Sequence, residues 1–449
     1  MITHMDAIPN PDNMSVQELG KLCETPLQAA AYKGDTEGVH ELIDARVDLN
    51  AVSGFFGTAL QAACYCGQYH ASRLLLKAGA DANSASGFYG YPVQAAAYRG
   101  HAELIDLLIR FRAKIDAIGG VYGNALVAAA KGGQEAAVIK LTENGAKLNA
   151  EGSRDYPTAL YAASLHGHQE AVARLLHWGA DPNREYGDGK FALLAAVQRG
   201  HKAVVTLLIK YGAFLDQKCH SGQNIGELTL HMAVEGGHTN LVRLLLTWPC
   251  IDADSPNEKG LNPLLIAVSH GHNAIVQLFL DKGVNSRSKD ESGSTALMIA
   301  VSHGFLDVVR LLLKHNEEIG NTNIHQETST SLMMAVSGGN QGLVLLLLEF
   351  GAAQESPNRH DQTPLMTAIE MGQEAITFLL LQHGAKIDAT DGSGNMPVDV
   401  AVSKGHRTIE KLLTFGEGEK AIADRDRWWK SNSRVTDNDW DEMIRKDGA

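Results

Sequence analysis

Thr363-Pro364-Leu365-Met366-Thr367-Ala368-Ile369-Glu370-Met371-Gly372 reads as a short helix with both of its ends marked. The Thr363 hydroxyl is placed to cap the helix, and Pro364 fits the first helical position, where a missing N–H costs nothing. Leu365 and Ala368, at i and i+3, share one side. Gly372 predicts the left-handed stop. A second helix carrying Ile376, Leu379 and Leu380 follows, Gly384 closes it, and 386–388 lead into a hairpin-like loop.

The same pattern recurs along the chain. A leucine-type residue stands at Leu27, Leu60, Val93, Leu126, Leu160, Leu193, Leu230, Leu264, Leu297, Leu332, Leu365 and Val398, at spacings between 33 and 37 residues. Three positions after each comes an alanine, from Ala30 to Ala401, and seven after each a glycine, from Gly34 to Gly405. An alanine at that place in every repeat predicts neighbouring helices too close for anything larger. A period of this length means a stack of supersecondary units rather than one globular core. The predicted fold is all-α, a solenoid of about twelve helix-turn-helix repeats with projecting hairpin loops.

The unit resembles the ankyrin repeat. The likeness rests on Thr363-Pro364-Leu365, Ala368, Gly372 and Gly384-Ala385, on Leu230-His231-Met232-Ala233, and on the exits Gly79-Ala80-Asp81-Ala82-Asn83 and Gly179-Ala180-Asp181-Pro182-Asn183. It covers about residues 25–414. Arg46, Arg112, Pro249, Asn316 and Glu417 replace the second exit glycine in five repeats, and the longest spacing, 37 residues, falls before the repeat that contains Pro249. The expected organisation is an N-terminal cap over 1–24, repeats one to six over 25–216, an insertion over 217–229, repeats seven to twelve over 230–414, and a cap or tail over 415–449. Within the cap, residues 15–22 are expected to form a short helix. The tail holds Trp428, Trp429 and Trp440. A capping helix folded back on repeat twelve is expected there, with a linear docking motif as the alternative.

Repeats two to five carry an aromatic four residues before the leucine-type position: Phe56, Tyr89, Tyr122 and Tyr156. Phe55 and Phe88 precede the first two. On the first helices, Tyr32, Tyr65 and Tyr98 stand five residues after it, beside Lys33 and Arg99. The resemblance implies that both offsets line the concave binding face, and Gly87-Phe88-Tyr89-Gly90 followed by Val93-Gln94-Ala95-Ala96 resembles ankyrin arrays common in filamentous fungi. Tyrosine and arginine are favoured at interface hot spots. These eleven residues are the candidate partner-binding set. The competing reading is that the loop aromatics stack on one another and stiffen the loops.

Bulk properties narrow the class further. A formal net charge of −13 argues against a nucleic-acid surface. Met1 to Asn10 shows neither a basic nor an apolar signal region, and the longest aliphatic run, Leu343 to Leu348, is too short to cross a bilayer. Five scattered cysteines fit reduced thiols, so a cytoplasmic or nuclear protein without membrane attachment is expected. Histidines beside the turn glycines, as in His166-Gly167-His168 and His270-Gly271-His272, read as structural rather than metal-binding. Cys64 and Cys66, two apart on a helix, point to different faces. No phosphate-loop, H-E-x-x-H or G-x-S-x-G motif occurs. The expectation is a monomeric, non-catalytic protein-binding scaffold, adaptor or inhibitor with no metal or cofactor. The alternative is the substrate-recognition subunit of a ubiquitin ligase or another separate enzyme.

Overall fold

A computed structural model describes residues 23–186, 190–218, 222, 224–318, 324–416 and 419–432. Among the described residues there are twenty-five α-helices, and the only β features are isolated antiparallel bridges in loops. The chain divides into two compact halves, 1–232 and 233–449. Each half is a stack in two layers: the first helix of a repeat packs on the first helices of its neighbours, and the second on the second helices. The expected capping segment 15–22 and Trp440 lie outside the described residues.

The helix ends follow from single side chains. Thr363 Oγ1 accepts the Met366 amide at 3.3 Å, with Pro364 in the first turn. Thr25, Thr58, Asn124, Thr158, Asn262 and Thr295 cap their own repeats in the same way. In the second helix 374–382, Ile376, Leu379 and Leu380 are buried, and Gly384 exits at φ +90°. Arg46 and Arg112, which replace that glycine, take the same left-handed conformation at φ 56° and 63°. The geometry of the exit is therefore imposed by the stack, and these arginines accept a conformation that L-residues otherwise avoid.

Neighbouring repeats are tied by side chains at fixed offsets. Asn50 Oδ1 accepts the Asp81 amide at 2.8 Å, Asn83 Oδ1 that of Lys114 at 2.7 Å, and Asn183 Oδ1 that of Phe214 at 2.8 Å. The asparagine of the exit motif is thus a staple to the next repeat. At the opposite edge, the ring Nε2 of His101 bonds the Tyr65 carbonyl at 3.1 Å, His168 that of Lys131 at 3.0 Å, and His272 that of Glu235 at 3.2 Å.

Two places depart from the repeat. The 217–229 stretch is only partly loop: the helix Ile225–Glu235 takes in residues 225–229. Asn224 Oδ1 starts it by accepting the amides of Gly226 at 2.8 Å and Glu227 at 3.2 Å. The second departure lies between repeats nine and ten, where the helices Leu306–Glu318 and Ile324–Ser337 run to 13 and 14 residues. A spacing of 35 residues and Asn316 in place of the exit glycine were its sequence signals.

The helix Glu419–Asn432 lies against the second helix of repeat eleven and also reaches that of repeat twelve through Arg425. Trp429 stacks on Phe378 with centroids 4.8 Å apart. The buried Arg425 donates to the carbonyls of Leu381 at 3.0 Å, Leu412 at 3.3 Å and Gly416 at 2.7 Å.

Candidate partner-binding surface

The loops of repeats two to four close into tight fingers. Ser53 donates to the Gly57 carbonyl at 2.8 Å, Ser86 to Gly90 at 2.7 Å and Gly119 to Gly123 at 2.7 Å, each through its backbone amide. A glutamine just after the leucine-type position of the preceding repeat holds each finger. Gln28 Nε2 donates to Ser53 and Gly57 carbonyls (2.9 and 2.7 Å), Gln61 Nε2 to Ser86 and Gly90 (2.6 and 2.9 Å), and Gln94 Nε2 to Ala117 and Gly123 (3.0 and 2.9 Å). All three glutamines are fully buried. The stretch Val93-Gln94 was visible in the sequence, but nothing in a one-dimensional pattern says that the amide reaches a finger almost thirty residues on.

Successive fingers also bond to each other. Phe88 donates its amide to the Phe55 carbonyl at 2.9 Å, and Val121 to the Phe88 carbonyl at 3.1 Å. Gly87 and Gly120 stand at φ +64° and +60°, and a Cβ on either would land on the backbone of the finger before it. Glycine is needed there for conformation and for clearance alike.

This column draws the two aromatic rows into one. Phe56 and Tyr89 each enter between the tyrosines of two consecutive first helices, and ring centroids run Tyr32–Phe56 5.5 Å, Phe56–Tyr65 5.3 Å, Tyr65–Tyr89 5.1 Å, Tyr89–Tyr98 5.5 Å, Tyr98–Tyr122 5.1 Å and Tyr122–Tyr156 5.8 Å. Tyr32, Phe56, Tyr65, Tyr89 and Tyr122 are buried. These five rings cover the first helices and one another, the stacking that the competing reading of the loop aromatics describes, because an aromatic face gains more from a neighbouring ring than from water. Burial also holds the phenols of Tyr32, Tyr65, Tyr89 and Tyr122 protonated well above the usual tyrosine range.

The other six candidates reach solvent. Phe55 and Phe88 are half-buried and stack at 4.8 Å along the finger column. Tyr98 and Tyr156 are half-buried, while Lys33 and Arg99 are exposed. The Arg99 guanidinium sits 5.1 Å from the Tyr65 ring centroid, a cation–π contact that holds the charge at the ladder's edge. After Tyr156 the ladder passes to His166 and His168. The fifth finger is wider, closing through the Gly152 amide on the Pro157 carbonyl at 2.9 Å.

Other chemistry has little footing among the described residues. No group of three or more His, Cys, Asp or Glu side chains is placed to hold a metal ion. Burial pushes the Cys64 thiol up to about 12, so it is no nucleophile at neutral pH. No described helix is long and apolar enough to cross a membrane.

Models of ankyrin repeats match 93–186, 160–250, 230–323, 316–391 and 332–424, and a further one matches 27–76. The chain belongs to the ankyrin repeat family. Ankyrin repeats are protein–protein interaction modules, and the stack of fingers and helices described above is one. Among curated proteins it is similar to the probable E3 ubiquitin-protein ligase XBOS32 of Oryza sativa subsp. japonica, 31% identical over 169 residues, or 31% of this chain and 33% of that protein. It is also similar to the ankyrin repeat and KH domain-containing protein mask-1 of Caenorhabditis elegans, 32% identical over 28% of this chain and 5% of that protein. The chain thus spans a third or less of these two relatives. The crystal structure of the human ASB11 ankyrin repeat domain is matched at 26% identity and a TM-score of 0.44, over 50% of this chain and 97% of that one.

Proposed function

We propose that this chain is a non-catalytic scaffold, adaptor or inhibitor that binds a protein partner along the outer edge of the aromatic ladder. The observation that supports this is the division of the candidate set. The buried rings fix the fingers, and Phe55, Phe88, Tyr98, Tyr156, Lys33 and Arg99 present apolar area and positive charge on that rigid base. Rigid anchors lower the ordering cost of binding. The chain acts in the cytoplasm or nucleus as a monomer and binds no nucleic acid, in keeping with its net charge of −13.

The test compares affinity captures from native extract using wild type, Phe55→Ala/Phe88→Ala and Lys33→Glu/Arg99→Glu, with matched circular dichroism. A protein held by wild type and lost from both variants supports the reading. Equal losses from substitutions in repeats eight to eleven would overturn it. Alanine at Tyr32, Tyr65 or Tyr98 is a poorer probe, because the first two are interior and Tyr98 stacks on Tyr122.

A second reading, the substrate-recognition subunit of a ubiquitin ligase, is favoured by the name of the rice relative. It requires that ubiquitin-conjugating activity co-purify with the full chain.

A further inference from the structure

The edge that carries Lys33 and Arg99 has no acid placed to neutralise it. Five and six residues after the leucine-type position, repeats one to six hold Lys33, Arg99, Lys131 and Arg199, and neither Asp nor Glu. The fingers 51–57, 84–90 and 117–123 contain no charged residue at all. In a chain of net charge −13 this is a segregated surface. The same positions in the second half hold Glu235 and Glu370, and there the stack supplies a counter-charge. Lys404 of repeat twelve pairs with Glu370 of repeat eleven at 3.1 Å. Arg99 stands at the place of Lys404, but in repeat three, and Tyr65 of repeat two stands at the place of Glu370. A ring therefore replaces the carboxylate, and the guanidinium rests 5.1 Å from its centroid. No described carboxylate pairs with Lys33 or Arg99. Both side chains are exposed, so their charge is open to an anion from outside the chain.

We propose that this edge binds an acidic peptide segment of its protein partner, extended along the stack, with carboxylates at Lys33 and Arg99. Apolar side chains of the same segment lie between them, against the stacked rings of Phe55 and Phe88. This rests on the partner surface proposed above and names the chemistry that fits it. The repeat sets the spacing. Lys33 and Arg99 occupy the same place two repeats apart, about 20 Å at about 10 Å per stacked helix. An extended chain covers about 3.3 Å per residue, so the two acids stand about six residues apart. Opposite charge steers the encounter and turns basic segments away. Arg99 is already held on Tyr65 and loses little freedom on binding. RNA or DNA fits less well, because a phosphate charge every few ångströms meets only widely spaced cations here.

Selection of a random peptide library displayed against the full-length chain at low salt tests this. Peptides of about twelve residues extend to about 40 Å and can span both cations. The enriched peptides are expected to carry Asp or Glu about six residues apart with an apolar residue between. Lys33→Glu/Arg99→Glu is expected to raise their Kd about tenfold, and changing the two peptide acids to Lys to restore binding to that variant. Lys404→Glu is expected to leave binding unchanged, and matched circular dichroism shows that each variant is folded. Peptides whose capture ignores Lys33→Glu/Arg99→Glu but falls with Phe55→Ala/Phe88→Ala would overturn the acidic segment and leave the ladder edge as the binding surface. Peptides indifferent to both double variants, or no enrichment at all, would overturn both readings. Tighter capture of poly-uridylate RNA than of the enriched peptides would overturn the proposal by assigning the edge to nucleic acid.

Discussion

His101 and Gln68 stand at the same offset in adjacent repeats and do the same work. His101 Nε2 bonds the Tyr65 carbonyl at 3.1 Å, and Gln68 Nε2 donates to the Tyr32 carbonyl at 3.3 Å. They differ in that only the imidazole can take up a proton. Burial lowers the pKa of His101 and of His168, so the unfolded chain takes up protons more readily than the folded one. The stability they contribute is present above the unfolded value, about 6.5, and is lost as pH falls through it towards the folded values. His101→Gln is expected to keep the neutral-pH stability and to reduce the loss between pH 7 and 5 in urea titrations. Gln61 carries a different load. Gln61→Ala takes from the finger carbonyl of Ser86 its side-chain donor and leaves that of Gly90 with the Ser86 amide alone, and is expected to cost about 1–3 kcal/mol in urea unfolding. Neither role was legible as a role. The residues were plain in the sequence, but a histidine after a turn glycine gives no hint of which carbonyl it meets in the neighbouring repeat.

At the scale of elements, the helices were legible because each carries its own punctuation. Thr363-Pro364 and Gly372 mark a start and a stop that depend on adjacent residues alone, and the structure places helix ends beside them. The fingers were harder. Their aromatic spacing was visible, but whether a ring faces water or another ring depends on a finger some thirty residues away, and here five of the rings turned inward. The early start at Ile225 went unread for a similar reason: Asn224 is a capping residue in a stretch that otherwise looks like loop. The C-terminal helix offers a direct test at this scale. Trp429→Ala removes a ring stacked on Phe378 in a buried position, and is expected to destabilise the second half by about 3 kcal/mol. A lower melting temperature with the first half's hydrogen exchange unchanged is the expected observation.

For the whole molecule, neighbour-only contact governs the response to damage. Stability in a repeat array is close to a sum of repeat and interface contributions, so a lesion spreads to adjacent repeats and fades. Tyr89→Ala opens a gap at a fully buried ring between Tyr65 and Tyr98, with an expected cost of about 3–5 kcal/mol. Hydrogen exchange is expected to rise across the helices of 59–131 and to stay unchanged in the second half. Uniform loss of protection would mean a single cooperative core instead. The same logic separates rigidity from recognition: the interior rings hold the fingers, and the edge is the surface proposed for the partner.

Hydroxyl-radical footprinting of the full chain, free and with its captured partner, tests that division most directly. The prediction is strong protection at Phe55, Phe88, Tyr98 and Tyr156, with the buried Tyr89 unreactive in both states. Protection confined to repeats eight to twelve, with Phe55 and Phe88 equally reactive in both states, would contradict it.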